Sequence, residues 1–387
     1  MIDTSPERQA LADRLEAAGA IRTPAWRKAV EAVPRELFLD PGVFLPAGTL
    51  WRPVTTAGTD SAEWTRTAYS DESLVTQLDN QLTADQVPDP VPGIPTSSST
   101  APQLVLEMIE ELEVEDGHRV LEIGTGTGYS TALMCHRLGE DNVTTIEVDP
   151  GVAARADAAL ETAGFSTWTV TGDGLLGLPR RAPYDRVIAT CGVLRIPYTW
   201  VRQTRPGGII LATVGSLLTG TGLAKVTVGQ DGTAEGRFVS HANFMQARSQ
   251  AATPIAGDLS SRVAYPNNER RALVAPTELN EPMPAFLAQL AAPTAQVLRA
   301  QTSDGGALVY LFDPDRESFA ELVQDGDEWL VRQGGPISLW DDVEQALRAW
   351  DGIGQPGITE VHLRVTERSH TYWIGDYPAL RWDHPLC

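Results

Sequence analysis

A short apolar strand that runs through a glycine-rich turn straight into a helix leaves a chain few folds to choose from. Residues 120–130, VLEIGTGTGYS, read that way. Gly124, Gly126 and Gly128 stand where the backbone must turn tightly and let a ligand approach the main chain, which a Cβ would obstruct. The helix that follows, GYSTALMCHRLG, is expected to stop at Gly139.

The same rhythm continues downstream. PQLVLEMIEELE puts Leu104, Val105, Met108, Ile109 and Leu112 on one helical stripe. VTTIEV reads as a strand, PGVAARADAALETAG as a helix and TWTVTG as another strand; YDRVIATC, PYTWVRQT and GGIILATVG extend the series. Alternation of this length predicts an α/β fold, a doubly wound and mostly parallel sheet. GLAKVTVG and GRFVSHANFM are expected to pair and finish the sheet.

A glycine run alone is weak evidence for a ligand, so the following strands must supply partners. The strand VTTIEV ends at Glu147, nineteen residues past Gly128, with Val148 next; a carboxylate there can accept from both hydroxyls of a ribose. TGDG places Asp173 and Gly174 at the end of the next strand, within reach of an adenine amino group. A dinucleotide fold asks for GxGxxG and a pyrophosphate over the helix N-terminus. Position 129 is Tyr, and the run is GxGxG preceded by Glu122, the pattern usual for S-adenosylmethionine. On this pattern the expected cofactor contacts are Glu122, Gly124, Gly126, Gly128, Glu147 and Asp173.

Composition excludes several partners. The chain carries 30 basic and 51 acidic groups in 387 residues, a net charge of −21, and the deficit is spread along its whole length. Nucleic-acid binding rests on cations that neutralise phosphates, so no nucleic acid is expected, and an anionic membrane surface is disfavoured too. The three cysteines, Cys135, Cys191 and Cys387, match neither a disulfide framework nor a metal-ligand spacing, and no metal is expected. No signal peptide is visible at MIDTSPERQALADRLEA. The uncharged stretch 206–224 holds five glycines and reads as two strands, not a membrane span. The expectation is a soluble, cytoplasmic protein.

Three regions follow. Residues 1–100 are expected to hold two short helices with Ser5 and Thr23 as N-caps and Gly19 as a stop, then a Pro-, Thr- and Ser-rich stretch over 45–99 that is a linker or an acceptor-facing loop. Residues 101–246 are the cofactor-binding core. Residues 247–387 form an added α+β domain, with helices expected at MPAFLAQLA, ESFAELVQ and WDDVEQALRAW, strands at ALVYLF, EWLVRQ, TEVHLRVT and SHTYWIG, and half of the ten tryptophans. Those aromatics are expected to be core.

VPRELF at 33–38, AYSD at 68–71, TAPQL at 100–104, VLEIGTGTGY at 120–129, TIE at 145–147, GDGLLGLPRRAPYDRVIAT at 172–190, RIP at 195–197 and GGIILATVG at 207–215 together resemble the protein-L-isoaspartate O-methyltransferases over roughly residues 25–245. The resemblance implies a class I S-adenosylmethionine-dependent methyltransferase fold, a protein or peptide substrate, and Ser99 and Thr100 facing the transferred methyl and the acceptor carboxylate. Thr100 stands where the family usually has serine. Its other reading is an N-cap for the helix entered at Pro102.

Two departures from that family stand out. The segment between AYSD and TAPQL is rewritten, and about 140 residues follow the core. The combination resembles the branch that accompanies ATP-grasp peptide maturation. That branch implies methylation of an aspartate in a cyclised ribosomal precursor peptide and closure of the ester to an aspartimide. Isoaspartate repair is the alternative. The oligomeric state is not legible.

Overall fold

The computed structural model describes residues 3–215, 217–252, 255, 263, 265–301 and 305–386. They form two compact units, residues 1–191 with 199–211, and residues 192–198 with 212–387. Cys387 lies outside the described residues.

The first unit opens with α1 (Ser5–Ala17) and α2 (Pro24–Ala32), both as expected. Their capping differs from the sequence reading. Thr4, not Ser5, stands at the N-cap of α1, and the Thr23 side chain makes no cap bond. Glu110 instead anchors the two residues before α2, with Oε1 accepting from the amides of Arg22 (2.6 Å) and Thr23 (2.7 Å). Gly19 follows α1 at φ +78°, as a left-handed stop should.

The stretch expected to be a linker or an acceptor-facing loop is a folded sheet. Strands β1 (Gly42–Ala47), β2 (Leu50–Thr55), β3 (Leu74–Leu78) and β4 (Pro95–Ser99) lie in the order β2-β1-β3-β4, with α3 (Ser61–Ala68) inserted. Its core is Phe44, Val75, Leu78 and Ala84, with Trp51, Leu82, Val87 and Val91 packed against it. Each large side chain so buried contributes roughly 1.5–3 kcal/mol. Of the prolines in this stretch, Pro53 in β2 and Pro95 in β4 sit in outer strands, where a missing N–H does least harm, Pro46 lies in β1, and Pro88, Pro90 and Pro92 lie outside the strands.

The doubly wound part follows the expected order. It comprises α4 (Pro102–Glu111), β5 (Val120–Ile123), α5 (Tyr129–Leu138), β6 (Val143–Glu147), α6 (Pro150–Thr162), β7 (Trp168–Thr171), β8 (Tyr184–Val193), α7 (Tyr198–Gln203) and β9 (Thr204–Gly215). Strands run β7-β6-β5-β8-β9, with β5 parallel to both β6 and β8 and β6 parallel to β7. The strand order reverses at β5, and ligands bind at the carboxyl ends of strands beside such a switch point.

In the second unit β10 (Thr221–Val228) and β11 (Ala234–Ser240) pair antiparallel. They do not finish a sheet: β11 pairs on with β17 (Val361–Val365), followed by β18 (Ser369–Ile374) and β19 (Arg381–Pro385). A separate antiparallel sheet has the order β12-β16-β15-β14-β13, from β12 (Asn268–Arg271), β13 (Gln296–Gln301), β14 (Ala307–Asp313), β15 (Ser318–Asp325) and β16 (Glu328–Gly334). Helices α8 (Pro282–Ala291) and α9 (Leu339–Gly352) match two of the three expected. The third, ESFAELVQ, is strand β15 instead. Cross-strand pairing with β14 and β16 overrides the helical propensity of its Glu, Ala and Leu. Trp329 and Trp340 are buried, whereas Trp350, Trp373 and Trp382 are only partly so. No described helix is long and apolar enough to cross a membrane.

Candidate active site

The turn after β5 is built from below. Glu122 is fully buried, and its carboxylate accepts from the hydroxyls of Ser130 (2.5 Å), Thr131 (2.5 Å) and Thr145 (2.8 Å). Burial pushes its carboxyl above the usual range, against the pull of those three donors. Thr125, also buried, shares a 2.7 Å hydrogen bond with the Thr145 hydroxyl. Glu122 and Thr125 thus brace the turn from inside, and both have their polar atoms engaged by protein. Gly124, Gly126 and Gly128 all take positive φ.

Glu147 closes the turn from the neighbouring strand. One carboxylate oxygen accepts from the Gly126 amide and the other from the Asp149 amide, each at 3.0 Å. A carboxylate has about four acceptor positions, so two remain for a diol. Val148, beside it, is 42% exposed, and Leu176, beyond the end of β7, is 63% exposed. These are bare apolar surfaces on the loops that carry the two acids. Asp173 is exposed, with one oxygen on the Leu175 amide at 2.9 Å, leaving the other oxygen free of protein partners.

The loop that presents Asp173 is fixed by α7, which the sequence reading gave no role. Trp200 Nε1 donates to the Gly174 carbonyl (2.8 Å), the Thr199 hydroxyl to that of Leu175 (2.5 Å) and Gln203 Nε2 to that of Leu176 (2.8 Å). Gly174 itself has no room for a side chain, since a Cβ there falls 2.4 Å from Ile123 Cγ2. The ends of β5, β6 and β7 are thereby tied together.

Ser99 ends β4 and Thr100 follows it. A Cβ on Gly126 would lie 3.4 Å from the Ser98 carbonyl oxygen, so β4 abuts the glycine turn. Ser99 is 2% exposed and its hydroxyl has no protein partner. Such a group costs about 1–3 kcal/mol unless something pairs with it. Thr100 is not a cap: Ala101 takes the N-cap position of α4 with no side-chain cap bond. The free amides there are met from the AYSD region instead, where Asp71 Oδ1 accepts from Gln103 N (2.8 Å) and Ser73 Oγ from Ala101 N (3.0 Å). Pro102 removes a further N–H from that end.

Arg35, from VPRELF, is the residue the sequence reading most clearly missed. It is fully buried and donates to the carbonyls of Ala68 (3.0 Å), Ser70 (2.6 Å), Glu72 (3.1 Å) and Thr100 (3.3 Å). Its guanidinium lies 5.8 Å from the ring of Tyr129, the residue after the last glycine. Burial lowers its pKa to about 10, which leaves it charged at neutral pH. Its place in a quoted motif was the only available signal, because carbonyl acceptors leave no mark in sequence.

The two acids and the main-chain groups of the glycine turn offer donors and acceptors of the kind a nucleoside with an amino-acid end uses. Among the described residues no group of three or more His, Cys, Asp or Glu is arranged to hold a metal ion.

Comparison with known proteins places this geometry. Residues 61–252 match the family model for protein-L-isoaspartate(D-aspartate) O-methyltransferase. A protein-L-isoaspartate O-methyltransferase of Anaeromyxobacter dehalogenans is 41% identical over 146 residues, which is 37% of this chain and 69% of that one. Protein-L-isoaspartate O-methyltransferase 1 of an Anaeromyxobacter species is 34% identical over 57% of this chain and 85% of its own. A solved structure described as a protein-L-isoaspartate O-methyltransferase has the same fold over 98% of this chain and 99% of that chain, with a TM-score of 0.54 and 22% identity.

Proposed function

The chain belongs to the protein-L-isoaspartate O-methyltransferase family, S-adenosylmethionine-dependent methyltransferases, and from that premise we propose that it methylates the carboxylate of an isoaspartyl residue in a polypeptide. The observation that supports this most is Ser99, a buried hydroxyl without a protein partner at the strand end that abuts the glycine turn. It suits a carboxylate acceptor, and Thr100 adds a second hydroxyl next to it.

When bound, the cofactor supplies an electrophilic sulfonium methyl. Glu147 is suited to the ribose and Asp173 to the adenine amino group, with Val148 and Leu176 offering apolar surface to the base. Gly124, Gly126 and Gly128 let the main chain approach the amino-acid end, and Glu122 and Thr125 hold them in place. The acceptor carboxylate is already ionised at neutral pH, so no general base is required. What the protein supplies is orientation: Ser99 and Thr100 hydroxyls hold one carboxylate oxygen so that the other is in line with the methyl. The methoxy group of the ester leaves far more readily than the oxygen of a carboxylate, so attack of the following backbone amide nitrogen on the ester carbonyl closes a succinimide and releases methanol.

A narrower substrate, an aspartate in an ATP-grasp-cyclised ribosomal peptide, is favoured by one feature. The segment before Thr100 that departs from the family's sequence folds as β3 and β4, next to the acceptor hydroxyls. Added length does not separate the two readings, because the solved structure above covers nearly the whole chain. Incubation with S-adenosylmethionine and matched peptides carrying isoaspartate or aspartate, followed by mass, tests the proposal. Methyl gain on the isoaspartyl peptide supports it, and no gain on that peptide contradicts it.

A further inference from the structure

A cleft in the first unit lies away from the glycine turn. It has a volume of about 620 Å³ and runs between α1 and α3, with the AYSD loop as one wall. Glu7, Ala10 and Arg14 line it from α1, Ala62 and Arg66 from α3, and Asp71 from the loop.

Its chemistry is mixed in a way that selects among ligands. The Glu7 Oε2 atom is shielded from solvent and has no hydrogen-bond partner. Arg14 is partly engaged, with Nη2 on the Tyr69 carbonyl at 2.7 Å, whereas Arg66 is exposed. A simple anion would meet Glu7 and Asp71, and a simple cation would meet Arg14 and Arg66. An extended polypeptide alternates N–H donors and carbonyl acceptors and can satisfy both. Ala10 and Ala62, both exposed, leave the walls low enough for a main chain to lie along them.

The cleft is also wired to the acceptor segment. Asp71 lines it and accepts from Gln103 N, three residues past Thr100. Ser73 accepts from Ala101 N, and Arg35 joins the carbonyls of Ser70 and Glu72 to that of Thr100. The loop that walls the cleft and the segment that carries the acceptor hydroxyls therefore form one hydrogen-bonded body. A flank of a few residues, at roughly 3.3 Å per residue, is a long enough tether to bridge such neighbours.

We propose that this cleft is the docking subsite for the polypeptide flanking the methylated residue. The inference rests on the reading that the acceptor is carried by a polypeptide. Occupancy of the cleft raises the local concentration of the acceptor at Ser99 and Thr100, so long substrates gain over short ones.

The test uses the full chain with Ala62→Trp, and Ala10→Trp as a second variant; both positions are exposed. A labelled peptide extending eight residues on each side of the isoaspartate is titrated by fluorescence polarisation, and a minimal isoaspartyl tripeptide is used as competitor. The expected result is at least a tenfold rise in Kd for the long peptide in either variant, with the affinities for the tripeptide and for S-adenosylmethionine unchanged. Equal affinity of the wild-type protein and both variants for the long peptide overturns the subsite, as does a matching loss for the tripeptide. Wild-type turnover of the tripeptide reports separately on isoaspartyl methylation, so either idea can fail without the other.

Discussion

Glu147 accepts a hydrogen bond from the Gly126 amide at 3.0 Å, which makes the acid at the end of β6 and the middle glycine of the turn after β5 a single structural unit. A carboxylate expected only to hold a ribose therefore also sets the shape of the loop that receives the rest of the cofactor.

Glu147→Ala removes both functions. The affinity for S-adenosylmethionine should fall at least tenfold, about 1.4 kcal/mol, by calorimetric titration. Glu147→Gln retains one acceptor oxygen and should fall between the two. Equal affinity of Glu147→Ala and wild type would remove Glu147 from the cofactor site.

Ser99→Ala and Thr100→Val should act differently. Neither hydroxyl braces the glycine turn, so cofactor affinity should hold while kcat drops by roughly 10–100-fold, the scale of about 1.4–2.7 kcal/mol in a lost orienting contact. Unchanged turnover in both variants would exclude an orienting role for these hydroxyls.

Gly174→Ala has no space to occupy. Its Cβ would sit 2.4 Å from Ile123 Cγ2, beneath the loop that Trp200 holds. Overpacking of this kind costs typically about 1–3 kcal/mol. The melting temperature should drop, and the drop should be smaller when the substitution is made in an Ile123→Ala background, which lacks Cγ2. A melting temperature equal to wild type would contradict this packing.

The second unit should be acid-sensitive. His370 is buried against the Ile196 carbonyl and His384 against that of Leu290, and burial lowers their pKa from 6.5 to about 3 and about 4. Between pH 6.5 and those values the unfolded chain binds more protons than the folded one, so stability falls as pH falls. Full stability is present above pH 6.5. At pH 5 each histidine should have cost about 2 kcal/mol. Thermal melts at pH 7 and pH 5 should show the drop, and His370→Gln with His384→Gln should flatten it. An equally steep drop in the double variant would assign it elsewhere.

How far the sequence could be read depended on whether a residue's partner was near it in the chain. The order of α4 to β9 was legible because each element carries its own apolar period and its own glycine stop. The places of Glu147 at the end of β6 and Asp173 just past β7 were legible because strand ends follow from that period. Arg35, by contrast, acts on carbonyls at 68, 70, 72 and 100, and Glu110 anchors the two residues before a helix that begins at Pro24. Main-chain partners far away in the chain have no local signature. The sheet over residues 42–99 was hidden for another reason: its strands are short and carry proline and serine, and only the pairing of β1 with β3 reveals Phe44 and Leu78 as a core. β15 was misread because its residues favour a helix until two neighbouring strands are present.

Isoaspartyl methylation is the central claim, and one measurement tests it most directly. The wild-type protein is incubated with S-adenosylmethionine and an equimolar mixture of three peptides, a linear isoaspartyl peptide, its aspartyl isomer and an ATP-grasp-cyclised aspartyl peptide, and their masses are followed in time. The account predicts methyl ester on the linear isoaspartyl peptide first, followed by loss of methanol to the succinimide, with the aspartyl isomer untouched. Ester on the cyclised peptide alone would contradict it.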